Sequence, residues 1–289
     1  MLRLVKAEIY ILFKTRTFKV LCVIALFLGL LLLGQSSSTQ NRLKAMSPEQ
    51  QKQYVENDKI ANEPNVSVEP SGSIGIHLGA KDIVHPRAME IFYSSFGSGV
   101  VEILMAILIG AMVGSEYSSG TIKNIVAYGK KREYYYISKL IACSVGFIII
   151  LGIIVSIPTV GWSFMFGWGE PFTFMQIVQI VAVFASATVV GMGIISLLML
   201  LATLVKSNGS TIGIGTVVMS ILPIIITLFY GKYVWFDKMY EDTLSYNWAL
   251  ATSIRSTNGE ILKAVVVGFI TLVIATAAGI TIFKKQDIK

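Results

Sequence analysis

The stretch GSEYSSGTIKNIVAYGKKREYYYISK, residues 114–139, lies between two long apolar runs and decides the predicted architecture. It holds two acidic residues and five basic ones, namely Lys123, Lys130, Lys131, Arg132 and Lys139. Ile122, Ile125 and Val126 recur at spacings of three and four residues, which places them on one face of a helix. The stretch therefore predicts a short amphipathic helix between two membrane spans, with an apolar face free to enter a groove on a partner.

Residues at both ends of this predicted helix are of the types that begin and end helices. A hydroxyl at Ser118 or Ser119 can accept a hydrogen bond from the free backbone N–H groups of a first turn. Gly129 is placed to stop the helix, because glycine adopts the left-handed conformation that commonly follows a last turn. A helix of about two turns is predicted between them.

At this stretch the chain resembles the permease subunit of type-2 ABC transporters. The resemblance is carried by Glu116-x-x-x-Gly120-Thr121-Ile122-Lys123, by the basic cluster through Arg132, and by Ser138-Lys139-Leu140 at the start of the next apolar run. In that family the corresponding cytosolic segment is a coupling helix that contacts a separate ATPase. The resemblance implies that this contact includes Glu116, Gly120, Thr121, Ile122, Lys123, Ile125, Val126, Lys130 and Arg132.

The chain departs from the family pattern in two respects. Lys131 stands where many members carry a small polar residue before the arginine, and the first outer loop is long. The alternative interpretation of residues 114–136 is an ordinary basic loop that only anchors two spans.

Composition excludes a soluble globular protein. Hydrophobic residues make up 54% of the 289 residues and charged residues 14%, with a mean hydropathy of +0.69, which is typical of a polytopic membrane protein. The net charge of +7 comes from basic residues at the ends of apolar runs. That distribution argues for a membrane and against a nucleic-acid partner. Cys22 and Cys143 lie inside apolar runs and form no metal or disulfide pattern.

The N-terminal residues 1–17 predict an interfacial helix. Leu2, Val5, Ile9, Leu12 and Phe13 fall on one helix face, and the basic residues between them suit anionic lipid headgroups. A signal peptide is the competing interpretation of a basic start before an apolar run. No small-x-small cleavage site follows the apolar run, so we expect a retained span.

The fold class predicted for the chain is an all-α polytopic membrane protein, a single permease domain over residues 1–289. The six predicted spans are residues 18–34, 93–113, 137–160, 176–205, 212–230 and 261–283. We expect the third to end at Pro158 and Gly161, and Pro223 to kink the fifth. Gly191 and Gly193 in the fourth predict close helix packing. Residues 35–92 form a polar extracellular loop, and the resemblance implies short outer-leaflet re-entrant helices within the amphipathic, extracellular residues 231–260.

Charge asymmetry predicts the orientation. The segments predicted to be cytosolic, including residues 114–136, hold 14 of the 24 basic residues. The positive-inside rule then places both termini in the cytosol. We expect a location in the bacterial plasma membrane.

The sequence lacks the motifs of several other functions. It contains no G-x-x-x-x-G-K-[ST] phosphate loop and no histidine inside a span, so ATP binding in the usual way and membrane-embedded zinc or serine–histidine catalysis are disfavoured. No cofactor is expected. His77 and His85 with Asp82 between them would suit a metal ion, but a solvated loop is the favoured interpretation.

Glu102 is an acidic residue inside the second predicted span, where ionisable groups are functional candidates. The alternatives are that it reaches the outer interface or pairs with a neighbouring span. The resemblance to type-2 ABC permeases implies the permease of an ATP-driven exporter that pairs with a second permease and with cytosolic ABC ATPase subunits. A stand-alone secondary carrier or channel is the second interpretation, and a membrane-embedded enzyme the third.

Overall fold

The structure is a computed structural model that describes residues 1–53, 86–97, 99–122, 131–169, 171–226 and 228–286. All regular structure in these residues is helical. Six of the described helices are long and apolar enough to cross a membrane, and they are called spans 1 to 6: Arg16–Ala45, Val100–Ser118, Arg132–Phe166, Phe174–Val205, Asn208–Ile226 and Asn258–Lys285. The predictions of an all-helical polytopic fold and of six candidate spans are confirmed.

Four shorter helices accompany the spans: the N-terminal helix Leu2–Lys14, then Ala88–Ser94, Val234–Glu241 and Leu244–Thr252. Residues 48–53 are also helical. The last two short helices lie within residues 231–260, where the resemblance implied such helices. Their insertion into a membrane leaflet stays a prediction.

The core lies around spans 3 and 4. Span 4 packs along span 6, span 1 along span 3, and span 5 along span 2. Spans 4 and 6 are in close contact at Gly193 and Gly268. A Cβ atom at Gly193 would lie only 2.8 Å from the Gly268 carbonyl oxygen. Spans 2 and 5 approach in the same way, with a Cβ at Gly114 reaching 2.9 Å from the Asn208 Cα. Small residues let membrane helices come this close, and the close packing predicted at Gly193 is confirmed.

Span 1 is longer than predicted. The helix continues to Ala45, so residues 35–45 belong to it and not to the predicted loop of residues 35–92. This polar stretch contains neither glycine nor proline to end the helix, and it buries Ser36, Gln40 and Leu43. The Ala88–Ser94 helix also lies within the predicted loop, whereas His77, Asp82 and His85 lie outside the described residues.

Span 2 begins and ends later than predicted. Residues 93–94 belong to the Ala88–Ser94 helix, and the chain then turns through Gly97 and Gly99, whose φ angles are +61° and +75°. The predicted run of residues 93–113 therefore joined two helices that a glycine turn separates. Within span 2, residues Gly110–Gly114 form a π-helical turn.

Span 3 runs past its predicted end. Pro158 lies inside the helix, which continues through Gly161 to Phe166. Proline is tolerated in membrane helices, where neighbouring groups compensate for its missing N–H. The helix ends before Gly167, whose φ is +79°.

Span 5 is shifted toward the N-terminus and irregular near its proline. It begins at Asn208 after a two-residue connection in which Lys206 has a φ of +55°. A π-helical turn at Val217–Ile221 directly precedes Pro223. The predicted kink at Pro223 corresponds to this turn, since a proline displaces the regular hydrogen-bond ladder before it.

Candidate functional site

A buried ion triad of Glu8, Glu116 and Lys139 lies at the end of span 2. The Lys139 Nζ is 2.7 Å from Glu116 Oε1 and 2.6 Å from Glu8 Oε2. The side chains are 1% exposed for Lys139, 6% for Glu8 and 15% for Glu116. Charges removed from water to this degree need close partners, and one ammonium group supplies that partner to two carboxylates.

Two residues of span 3, one helical turn apart, bind the carboxylate of Glu116. Tyr135 donates a hydrogen bond from its hydroxyl to Glu116 Oε2, and Lys139 donates to Oε1. Residues four apart face the same side of a helix. The ring of Tyr135 also lies 5.8 Å from the Lys139 Nζ, within the range of a cation–π contact. The end of span 2 is thereby fixed to the start of span 3.

Glu8 is brought to the triad by packing of the N-terminal helix on span 3. Leu12 is fully buried and lies against Gly146, where a Cβ would be 3.1 Å from the Leu12 Cδ1. Glu8, one turn earlier, therefore faces Lys139. On this helix Glu8 and Leu12 are buried in the chain, whereas Leu2 and Phe13 of the predicted apolar face are exposed. The location of the helix in the headgroup layer stays a prediction.

Burial raises the pKa of the Glu8 carboxyl. Removal from water disfavours the ionised form and outweighs the attraction of Lys139, and the negative charge of Glu116 adds to the rise. Two carboxylates share one cation here, so Glu8 holds a proton more tightly than a solvated glutamate does.

Arg132 ties the start of span 3 to the end of span 6. Its Nη1 donates to the carbonyl oxygens of Phe283, Lys284 and Gln286 at 3.0, 3.0 and 2.7 Å. These carbonyls lie in and just beyond the last turn of span 6, where a helix leaves acceptors without partners. An ion pair between Glu133 and Lys284 reinforces the same contact.

The end of span 2 is also bonded to the start of span 5. The Asn208 backbone N–H donates to Ser118 Oγ at 3.0 Å. Ser118 ends span 2, and Ser119 follows it in right-handed conformation before Gly120, whose φ is +72°. Ser118 therefore lies in the last turn of span 2. The helix that these serines were predicted to cap lies mainly outside the described residues.

The structure places some predicted coupling residues together and others apart. Glu116 belongs to the triad, Arg132 holds span 6, and Thr121 is exposed. Ile122 is 3% exposed and packs in the hydrophobic core of the chain itself, so in this conformation it is not on a free face. Lys123, Ile125, Val126, Gly129 and Lys130 lie outside the described residues.

The sequence-based prediction missed Glu8 and Tyr135, and it counted Lys139 only as one of five cations. One signal was available, because Glu8 is the only acidic residue among the basic residues of the N-terminal helix. Its spacing of four from Leu12 puts both on one face.

Glu102 lies at the opposite end of span 2 from the triad. It is 2% exposed, so its side chain is enclosed by the chain itself. The ion pairs found in the described residues do not include it. No group of three or more metal-binding side chains occurs in the described part of the chain.

A family model, DUF2705, described as a protein of unknown function, matches residues 83–289. The chain belongs to this family. The region of the DUF2705 match contains Glu102, Glu116, Arg132 and Lys139, whereas Glu8 precedes it. No curated protein and no solved structure matches the chain.

Proposed function

We propose that this DUF2705 protein is the membrane-spanning permease subunit of an ATP-driven exporter of the type-2 ABC class. The observation that supports the proposal is the attachment of residues 114–136 at both ends to the helical bundle. The buried ion triad holds one end, and the contacts of Arg132 with span 6 hold the other.

These attachments suit a segment that transmits force. The N-terminal helix and span 3 meet span 2 at the triad, span 5 bonds to Ser118, and span 6 bonds to Arg132. A displacement of the segment would therefore act on several helices together. A loop that only connects two spans needs no buried ion pairs, which are expensive to desolvate.

The energy source in this proposal is a pair of separate cytosolic ATPase subunits. The chain has no phosphate-binding loop of its own, and the basic cluster at Lys130, Lys131 and Arg132 suits acidic groups of a partner or lipid phosphates. A second permease completes the transporter, either a copy of this chain or a related one. Nucleotide-driven closure of the ATPases switches the pore between inward and outward access, with both termini in the cytosol of a bacterial cell.

A stand-alone secondary carrier or channel is the second candidate. Glu102 favours it, because a buried carboxylate in a span is common in ion-coupled carriers. Recovery of a soluble ATPase with the tagged chain separates the two functions.

The test compares variants of the coupling segment in pull-down of the ATPase from membranes of the source cells. Ile125→Asp introduces a carboxylate into the proposed partner groove, where an unpaired charge costs about 3–5 kcal/mol. We expect at least about a hundredfold loss of association. Lys123→Ala should reduce it much less, since exposed ion pairs contribute under about 1 kcal/mol.

Lys263→Ala is the matched control, because Lys263 is exposed and pairs with Asp242 away from the segment. It should leave association unchanged. If Ile125→Asp retains the ATPase and Lys123→Ala loses it, the segment does not bind in an apolar groove and the contact is electrostatic. If all three variants retain the ATPase, the segment is an anchoring loop.

A further inference from the structure

The last turn of span 6 contacts both ends of the coupling segment, residues 114–136. Phe283 belongs to this turn and is 2% exposed. Its ring contacts three tyrosine rings, one from the first end of the segment and two from the second. The distances between ring centroids are 6.4 Å to Tyr117, 5.8 Å to Tyr135 and 6.4 Å to Tyr136. These distances are within the range of stabilising aromatic pairs.

Arg132 adds a cation to this aromatic cluster. Its guanidinium Cζ lies 6.0 Å from the centre of the Phe283 ring, which is the distance of a cation–π contact. The same side chain donates to the carbonyl oxygens of Phe283, Lys284 and Gln286. Arg132 therefore binds both the ring of Phe283 and the backbone that follows it.

Gln286 joins the first end of the segment to the same place. The Tyr117 hydroxyl donates to Gln286 Oε1 at 3.5 Å, and Gln286 Nε2 donates to the Thr203 carbonyl of span 4 at 2.8 Å. Arg132, at the second end, bonds to the backbone of this glutamine. Both ends of the segment thus meet at residues 283–286.

Span 6 comes close to span 3 at Gly279. The Tyr136 hydroxyl lies where a Cβ atom at residue 279 would be, so a side chain there would have to displace this tyrosine. Gly279 precedes Phe283 by four residues, and both therefore face the same side of span 6. The absence of a side chain at Gly279 lets the Phe283 ring reach the tyrosines.

Tyr135 connects the aromatic cluster to the buried ion triad. Its hydroxyl donates to Glu116 while its ring contacts Phe283. Loss of the Phe283 ring would therefore remove the support of the tyrosine that binds Glu116. We call Tyr117, Arg132, Tyr135 and Phe283 the neck of the coupling segment, because together they hold its two ends against each other.

We propose that Phe283 is a positioning residue, which closes the neck and so holds the coupling segment in the position in which the ATPase binds it. Within the neck, Phe283 belongs to neither end of the segment and contacts both. Ends that are free to separate adopt many positions, and ordering them upon binding lowers affinity. This inference rests on the proposed function and names a residue that controls the same contact.

The first test measures the mobility of the segment in the purified full-length chain, in lipid nanodiscs and without ATPase. A nitroxide is attached to a cysteine at the exposed Thr121, after alanine has replaced Cys22 and Cys143. Electron paramagnetic resonance reports its mobility. We expect a largely immobile label in the chain with an intact neck, and a severalfold larger mobile fraction in Phe283→Ala.

Phe147→Ala is the matched control. Phe147 is a phenylalanine of similar burial, 1% exposed, and it packs against Gly191 and Trp248 in the core. Both variants leave a cavity and should lower the unfolding temperature, but only Phe283→Ala should mobilise the label. Equal spectra for the two variants overturn the proposal, because Phe283 would then act only through the stability of the bundle.

A second pair of variants decides the matter if Phe283→Ala fails to fold. Phe283→Leu keeps an apolar side chain and loses the ring contacts, so the label should still become more mobile than in the unaltered chain. Phe147→Leu is its control and should leave the label immobile. Equal spectra for these two variants overturn the proposal as well.

The second test measures association with the ATPase that the pull-down recovers. If the neck is closed in about one tenth of the Phe283→Ala molecules, association should weaken by about tenfold, whereas Phe147→Ala should bind like the unaltered chain. Unchanged association of a variant whose label is mobile overturns the positioning role and leaves the permease proposal standing. If the unaltered chain recovers no ATPase, the proposed function fails, and the mobility measurement alone decides whether Phe283 closes the neck.

Discussion

Glu8 and Glu116 share one cation: Lys139 Nζ lies 2.6 Å from the first carboxylate and 2.7 Å from the second. The two acids come from the N-terminal helix and from the end of span 2, and the lysine comes from span 3. Three elements are thus joined at one buried point, which lies at the start of the segment that we propose couples to an ATPase.

Removal of the shared cation should destabilise the chain strongly. Lys139→Met leaves two buried carboxylates without a partner, which we expect to lower the free energy of unfolding by about 3–5 kcal/mol. Lys139→Arg keeps the positive charge and should lower the free energy of unfolding by a smaller amount. Lys263→Met, which removes an exposed cation, serves as the control. Urea or thermal unfolding in detergent measures the differences, and equal losses for Lys139→Met and Lys263→Met would contradict a buried triad.

The raised pKa of Glu8 predicts a pH dependence of stability. Below the unfolded pKa of about 4.5 the carboxyl is protonated in both states, and its contribution to stability is fully present. That contribution is lost as pH rises through the raised folded pKa, because the folded state resists ionisation there. Glu8→Gln stays neutral, so its stability relative to the unaltered chain should increase as pH rises from about 4.5 through the raised folded pKa of Glu8. The check is the difference in unfolding temperature between the two chains at each pH. A constant difference would show that Glu8 is not perturbed.

The burial of Ile122 separates two substitutions that the sequence alone would treat alike. Ile122→Asp puts a charge into the hydrophobic core and should lower the unfolding temperature and the yield of folded protein. Ile125→Asp should reduce ATPase association while the unfolding temperature stays near that of the unaltered chain. Both quantities are measured on the same purified samples. An Ile122→Asp variant that stays folded but no longer binds the ATPase would indicate that Ile122 contacts the ATPase.

The close approach of spans 4 and 6 can be tested with a matched pair of glycines. Gly193→Ala places a methyl group 2.8 Å from the Gly268 carbonyl oxygen, so the helices must separate, at a cost of about 1–3 kcal/mol. Gly213→Ala meets nothing within 4 Å and should be neutral or slightly stabilising, since alanine favours helix. Comparison of the two unfolding temperatures checks the packing, and equal values would contradict it.

Patterns of apolar residues were sufficient to predict the six candidate spans, because long apolar runs are local signals. Their boundaries were predicted less well. Pro158 and Gly161 are helix breakers in water, yet span 3 continues through both. Residues 35–45 are polar and were assigned to a loop, but a helix needs no apolar residues once it has left the lipid. The turn through Gly97 and Gly99 was not predicted, because these glycines lie within the run of residues 93–113 that was taken as one span.

Of the residues that form the candidate site, only Glu116 and Arg132 were singled out from the sequence. Their partners depend on contacts between distant parts of the chain, and spacing within one helix does not reveal these. Glu8 meets Lys139 because Leu12 packs on Gly146. Arg132 meets span 6 because that helix ends beside the start of span 3. Neither relationship has a local sequence signal.

The most direct test of the proposed permease is ATP hydrolysis by the affinity-purified chain, isolated from membranes of its source cells in mild detergent. The account predicts that a soluble ATPase is recovered with the chain, that the complex hydrolyses ATP, and that Ile125→Asp loses both while remaining folded. A folded chain that is recovered without an ATPase and shows no hydrolysis would contradict the account.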